Sequence, residues 1–258
     1  MLDGMIYLWF FLTALSVFYI SYDLIKNTPS AKVMKLAWFL VVLYTGPIGL
    51  FLYLLSCKEP LLGTHEGFIK PLWKQALGSE VHCLAGDATG IIAAAFILSF
   101  MEISMPWEIT LEYLAGFGFG LFIFQALFMK SSMGRSYFQA LKTSFYPEWL
   151  SMNMIMAGMI PVMVIWKNLD SASASPTSLH FWAMMSLASL IGGILAYPMN
   201  YWLVKKGLKH GMMTVRKEKP DHEMHHMKSH ISRKSLFSMM WYSVITLFAG
   251  TLLAYIFH

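Results

Sequence analysis

The sequence predicts an all-α fold, a polytopic transmembrane helix bundle of about seven spans. Three observations predict it. The 258 residues are 57% hydrophobic and only 13% charged, about half the charged share of a soluble globular domain. Seven windows each hold roughly 20 mostly apolar residues, the length a helix needs to cross a hydrocarbon core about 30 Å thick. The runs are continuous rather than alternating, which does not fit barrel strands. In lipid, only helices and closed barrels satisfy their own backbone groups. The same composition excludes a disordered chain, a disulfide scaffold and an ordinary soluble enzyme; Cys57 and Cys83 make at most one bridge.

The windows fall at about 5–25, 36–57, 83–104, 109–129, 149–167, 179–204 and 236–257. The first begins almost at Met1, lacks a basic n-region and is too long for a signal h-region, so it reads as a span. The third is the weakest, because His82, Cys83 and Asp87 stand at its start. Tyr137, Phe138, Leu141 and Phe145, interleaved with Lys142, predict a short amphipathic helix on the membrane surface before the fifth window. SASASPTS at 171–178 is a polar turn. The chain divides into a two-helix segment over 1–58, a core over 59–204, a basic His/Met-rich loop over 205–235 and a last span over 236–258.

Basic residues set the orientation. Even-numbered loops hold fifteen Lys and Arg, and odd-numbered loops hold four. Even loops are therefore expected in the cytoplasm, together with the N-terminus. Lys26, Lys32 and Lys35 in the first loop dissent. A re-entrant third segment would flip the N-terminal half and remove that dissent.

No phosphate-binding glycine loop, nucleophile elbow or zincin motif is present, so no residue is assigned a catalytic role. No organic cofactor is expected. Gly116 and Gly120 have the spacing of close helix packing, and such faces could also join copies of the chain. A basic loop without an aromatic platform does not suggest nucleic-acid binding.

Three features carry ligand chemistry. His222, Met224, His225, His226, Met227 and His230 crowd one loop; imidazole and thioether suit copper, and imidazole also suits zinc. The plain alternative is a solvated linker. His82, Cys83 and Asp87 form the second group, with Cys83 and Asp87 on one helix face. An ionisable group in a span is costly, and the plain alternative here is an interfacial cap. Cys57 could join this group. Third, Met152, Met156, Met159 and Met163 recur on one helix face, as either a thioether path or flexible packing. Asn200, after Pro198, either bonds across helices or faces the Cys83 group.

Several stretches resemble an uncharacterised bacterial inner-membrane family known only as a domain of unknown function. They are HCLAGDATG (His82–Gly90), LEYLAGFGFGLFIFQALFMKSSMG (Leu111–Gly134), ALKTSFYPEWLSMNMIMAGM (Ala140–Met159) and AYPMNYWLVKKGLKHGMM (Ala196–Met213). VMKLAWFLVVLYTGPIGLFLYLL (Val33–Leu55) is similar to the leading helices of longer members. The resemblance implies a multi-pass protein of the bacterial inner membrane and supplies no activity. Its members often end in His/Met-rich tails, whereas here that cluster precedes a further span. Together these features lead to an expectation of a bilayer protein that binds, and transports or handles, a soft transition metal, copper first and zinc second. The alternative is a non-catalytic assembly scaffold whose basic loop binds a partner or lipid.

Overall fold

The computed structural model describes residues 2–125, 136–212 and 232–257. Those residues form helices and connections, with no strand. The helices are α1 (Leu2–Lys26), α2 (Lys32–Ser56), a short α3 (His65–Ile69), α4 (Leu72–Leu98), α5 (Met105–Gly118), α6 (Tyr137–Leu169), α7 (Leu179–Lys205) and α8 (Arg233–Ile256). Beyond Gly118, α5 continues as a π-helix over Phe119–Gln125. Seven of these helical stretches are long and apolar enough to cross a membrane. Their polarity is arranged as a bilayer requires. Leu8, Phe11, Leu15 and Phe18 of α1 and Trp241, Ile245, Phe248 and Leu252 of α8 point outward, while Glu80, Asp87, Glu148 and Asn200 are buried. The chain is a multi-pass membrane protein.

Local sequence explains the helix starts. Ser136, Ser178 and Ser232 each accept a backbone N–H of the first turn through the side-chain oxygen, satisfying a donor the helix cannot. Pro106 opens α5, where its missing N–H costs nothing.

Two elements have different bounds from those the hydropathy windows predict. The third helix begins at Leu72, eleven residues before the window, and is complete. His82, Cys83 and Asp87 therefore sit at mid-helix and not at its lip. The extra turns carry Lys74, Gln75 and Glu80, which depress any hydropathy average. The amphipathic stretch at 137–145 is the first part of α6, which runs on unbroken through Pro147 and Pro161.

The second helix is folded back on itself. Gly46 has φ 56° and ψ −136° inside it, a conformation open to glycine, and Pro47 follows without a backbone donor. Trp38 and Tyr53 stack edge to face with centroids 5.4 Å apart; on a straight helix, fifteen residues would separate them by about 22 Å. Both arms start from one end of α1: Lys35 Nζ donates to the Leu24 carbonyl at 2.5 Å, and Tyr53 Oη donates to Asp23 Oδ2 at 2.5 Å. The apex at Gly46 lies against Trp9 and Thr13, near the middle of α1. α2 is thus a helical hairpin that enters and leaves on the same side. It packs on α4, where Tyr44 and Thr89 hydroxyls meet at 2.6 Å.

α4 and α6 form the enclosed centre. Glycines set the distance of each from its neighbour: Gly86 and Gly90 of α4 face Gly120 and Gly116 of α5 and its π-helical continuation, and Gly158 of α6 faces Gly192 of α7. Absent side chains let these backbones approach, as membrane helices require when dispersion drives association.

Candidate functional site

Buried polar side chains from four elements and the strap after α7 converge halfway along α4. Cys83 is fully buried, and its Sγ lies 3.4 Å from Glu148 Oε2 of α6 and 3.9 Å from Asn200 Oδ1 of α7. Gln125, brought inward by the π-helix, donates to Cys83 Sγ at 3.3 Å and to Glu148 Oε2 at 2.9 Å. π-turns often occur at functional positions. Asn200 donates to Glu80 Oε2 at 2.5 Å and accepts from Ser151 Oγ at 3.0 Å.

The cation of the cluster is Lys209. α7 ends in a glycine turn, with Gly207 at φ 68° and Leu208 N–H returning to the Leu203 carbonyl, the left-handed stop that favours glycine. The chain then doubles back along α4, where Gly211 meets Gln75 and Met212 covers Gly78. Lys209 Nζ is left 2.7 Å from Cys83 Sγ, 3.0 Å from Glu148 Oε2 and 2.8 Å from Ser151 Oγ. Burial disfavours its charge. The Cys83 sulfur and the Glu148 carboxylate outweigh burial and hold the ammonium above the ordinary lysine range.

Charge in the cluster is unbalanced. Three buried acids, Glu80, Asp87 and Glu148, surround this one lysine. Neither Asp87 oxygen has a hydrogen-bond donor among the described residues, and Glu148 Oε1 and Glu80 Oε1 have none either. Asp87 and Glu148 both reach Gly120, where a Cβ would overlap Asp87 Oδ1 and stand 2.8 Å from Glu148 Oε1.

A cavity of about 270 Å³ opens beside the cluster, lined by Met34, His82, Gln125, Pro147, Lys209 and His210 among others. His82 lies edge-on to Phe124 and walls this cavity. The hairpin contributes Met34, so the N-terminal segment helps enclose the site.

Of the residues singled out from sequence, Cys83, Asp87 and Asn200 meet in the cluster and His82 flanks it. Cys57 does not join them; it is a free thiol beside Ser30, 3.7 Å away, which in turn lies 3.4 Å from His65. Met152, Met156, Met159 and Met163 are all buried, and two of them fill glycine notches, Met152 at Gly116 and Met159 at Gly192. His222, Met224, His225, His226, Met227 and His230 lie outside the described residues. Among the described residues, no three His, Cys, Asp or Glu side chains form a group that could hold a metal ion. Glu148, Ser151 and Lys209 were not singled out. Glu148 abuts the fifth window, and its charge in so apolar a run was the available signal. Lys209 reads as one more interfacial lysine until the glycine turn is seen.

The stretches that carried the family resemblance supply this cluster: His82–Gly90, Leu111–Gly134, Ala140–Met159 and Ala196–Met213 give Cys83 and Asp87, Gln125, Glu148 and Ser151, and Asn200 and Lys209. No curated protein and no solved structure matches the chain significantly. A family model, described as a domain of unknown function (DUF4396), matches residues 72–209. That region spans α4 through Lys209 and more than half the chain, and the protein belongs to this family.

Proposed function

We propose that the protein binds a soft metal cation at the Cys83–Glu148–Lys209 cluster and carries it through the membrane, with Lys209 as a built-in cation that the metal displaces. The observation that carries this reading is the Lys209 ammonium, seated within 3.0 Å of a thiol sulfur, a carboxylate and a hydroxyl in the buried centre. Those three atoms are cation ligands, and swinging Lys209 out on its glycine turn exposes them to the His82-lined cavity. Sulfur favours copper in its reduced state, with zinc next. The buried methionine row of α6 extends the soft surface from Gly116, beside Asp87, to Met163 at the far end of the bundle.

Orientation follows from the folded second helix. With both hairpin arms on one side, Lys26, Lys32 and Lys35 join the face that carries Lys58, Lys70 and the later basic loops. Every Lys and Arg except Lys167 then belongs to one face. The positive-inside tendency makes that face cytoplasmic and places both termini on the other side, the reverse of the N-terminal position expected from a straight second span. With a bacterial inner membrane as its setting, the Lys209 cavity opens to the cytoplasm.

Metal content of the purified full-length protein, loaded anaerobically with Cu(I) or with Zn(II), tests the reading. About one ion per chain is expected, lost in Cys83→Ser and Glu148→Gln. Lys209→Met should retain metal and bind it more tightly, because the competitor is gone. Wild-type protein without metal, or metal unaffected by Cys83→Ser, refutes the assignment.

A further inference from the structure

The bundle has a second polar chamber at the end opposite Lys209. It is a cavity of about 180 Å³, and Met105, Glu108, Glu112, Met163 and Lys167 are among its walls. Glu108 and Lys167 pair at 2.5 Å. Glu112 is 1% exposed, and its Oε1 has no hydrogen-bond partner among the described residues. The charged groups acting on it are Glu108 of its own helix and Lys167 of α6. The adjoining half of α4, Ala88 to Leu98, has no charged residue, and Glu102 in the following loop is exposed. Lys167 is already engaged by Glu108. A buried carboxylate in apolar surroundings is costly unless a positive charge compensates it, whereas the neutral acid is not.

Its position along α5 connects it to the centre. Glu112, Gly116 and Gly120 follow at i, i+4 and i+8 on the face turned to α4. Gly116 abuts the Asp87 carbonyl and Gly120 abuts the Asp87 carboxyl. The Glu112 carboxyl is therefore about 12 Å along the helix axis from the Asp87–Glu148 pair.

We infer that Glu112 is a proton-exchanging carboxyl served by this second chamber, and that the proton is the counter-ion for the cation handled at the central cluster. As a cation seats at the centre, the Glu112 acid gives its proton to chamber water and becomes a carboxylate; as the cation leaves, a proton from the same chamber restores the acid. The exchange compensates charge within the bundle, one proton released for each positive charge gained at the centre, and carries no net proton across it. The identity of the exchanged partner rests on the cation reading above, whereas the proton site rests on the chamber and the unpartnered acid.

A hydrophobic carbodiimide tests this, since it attacks protonated carboxyls in apolar sites and spares carboxylates. Full-length protein in detergent, mapped by mass spectrometry, should carry the adduct on Glu112 in acidic buffer. Labelling should fall about tenfold in alkaline buffer as the acid ionises. Glu112→Gln should remove it, and Glu108→Gln should reduce it by freeing Lys167 to pair with Glu112. In weakly buffered detergent solution, Glu112→Gln should keep the Cu(I) stoichiometry of wild type but release about one proton fewer per ion bound. An unlabelled Glu112, labelling indifferent to pH, or a Glu112→Gln protein that releases as many protons per ion as wild type overturns the inference. A labelled Glu112 in a wild-type protein that binds no metal refutes the cation reading alone and leaves the proton site standing.

Discussion

At the residue scale, the site depends on what Gly120 lacks. Its missing side chain is the room in which Asp87 and Glu148 meet. Gly120→Ala should destabilise the protein by about 1–3 kcal/mol, the usual range for overfilling a packed core. Gly118→Ala should be neutral, because its nearest neighbour is a Phe122 ring carbon at 3.9 Å. Thermal unfolding in detergent compares the two, and equal midpoints would contradict the packing described. A second residue-scale effect lies outside the spans. The His180 ring, 2.5 Å from Asp170, holds the Asp170 carboxyl below the usual carboxylate range, and its other nitrogen reaches Asp3 at 2.9 Å. A lowered folded-state value means the contact contributes fully above the ordinary carboxylate range and is lost as pH falls through the lowered one. The hydrogen-exchange protection factors of the first turns of α1, corrected for the intrinsic pH dependence of amide exchange, should therefore fall in acid, and His180→Ala should erase that fall. The sequence made part of the central cluster legible. An aspartate and a cysteine one helical turn apart in an apolar run need a reason, and Asn200 beside a proline needs one too. Glu148 and Lys209 were hidden because each becomes meaningful only through a partner more than 60 residues away, and the lysine arrives by a turn that hydropathy does not register.

At the element scale, the second helix shows what an apolar window measures. Residues 36–57 have the length and composition of a span, yet half of them travel each way. Hydropathy averages are blind to direction, and the clues were local: a Gly-Pro pair at mid-window and lysines flanking both ends. Single cysteines at Lys32 and Lys58, in a background with Cys57 and Cys83 replaced by serine, should react with a membrane-impermeant thiol reagent from the same face of sealed vesicles. A straight second span would put them on opposite faces. Gly46→Ala, forced to φ near +56° with its Cβ 2.5 Å from Thr13 Oγ1, should cost about 1–3 kcal/mol of stability. The helix after Gly118 teaches a related lesson. Its π-turns carry Gln125 to the sulfur, and the Gly116 and Gly120 spacing was read for packing alone.

At the scale of the whole molecule, all-helical architecture was legible because lipid leaves a chain few alternatives, while the sidedness proposed above turns on one folded element, whose reversal a window average does not record. Reporter fusions at the two ends should locate them on the same side; ends on opposite sides would mean that α2 crosses. The glycine turn behind Lys209 has one further consequence. A competitor on a short leash is present at a constant effective concentration, on the order of millimolar or more, whatever the cell contains. Under the cation reading proposed above, an arriving ion has to outcompete it, so weak binders such as alkali ions would be turned away. On that reading the ammonium swings home as the ion departs, before the acids are left to repel one another, and the vacancy closes itself.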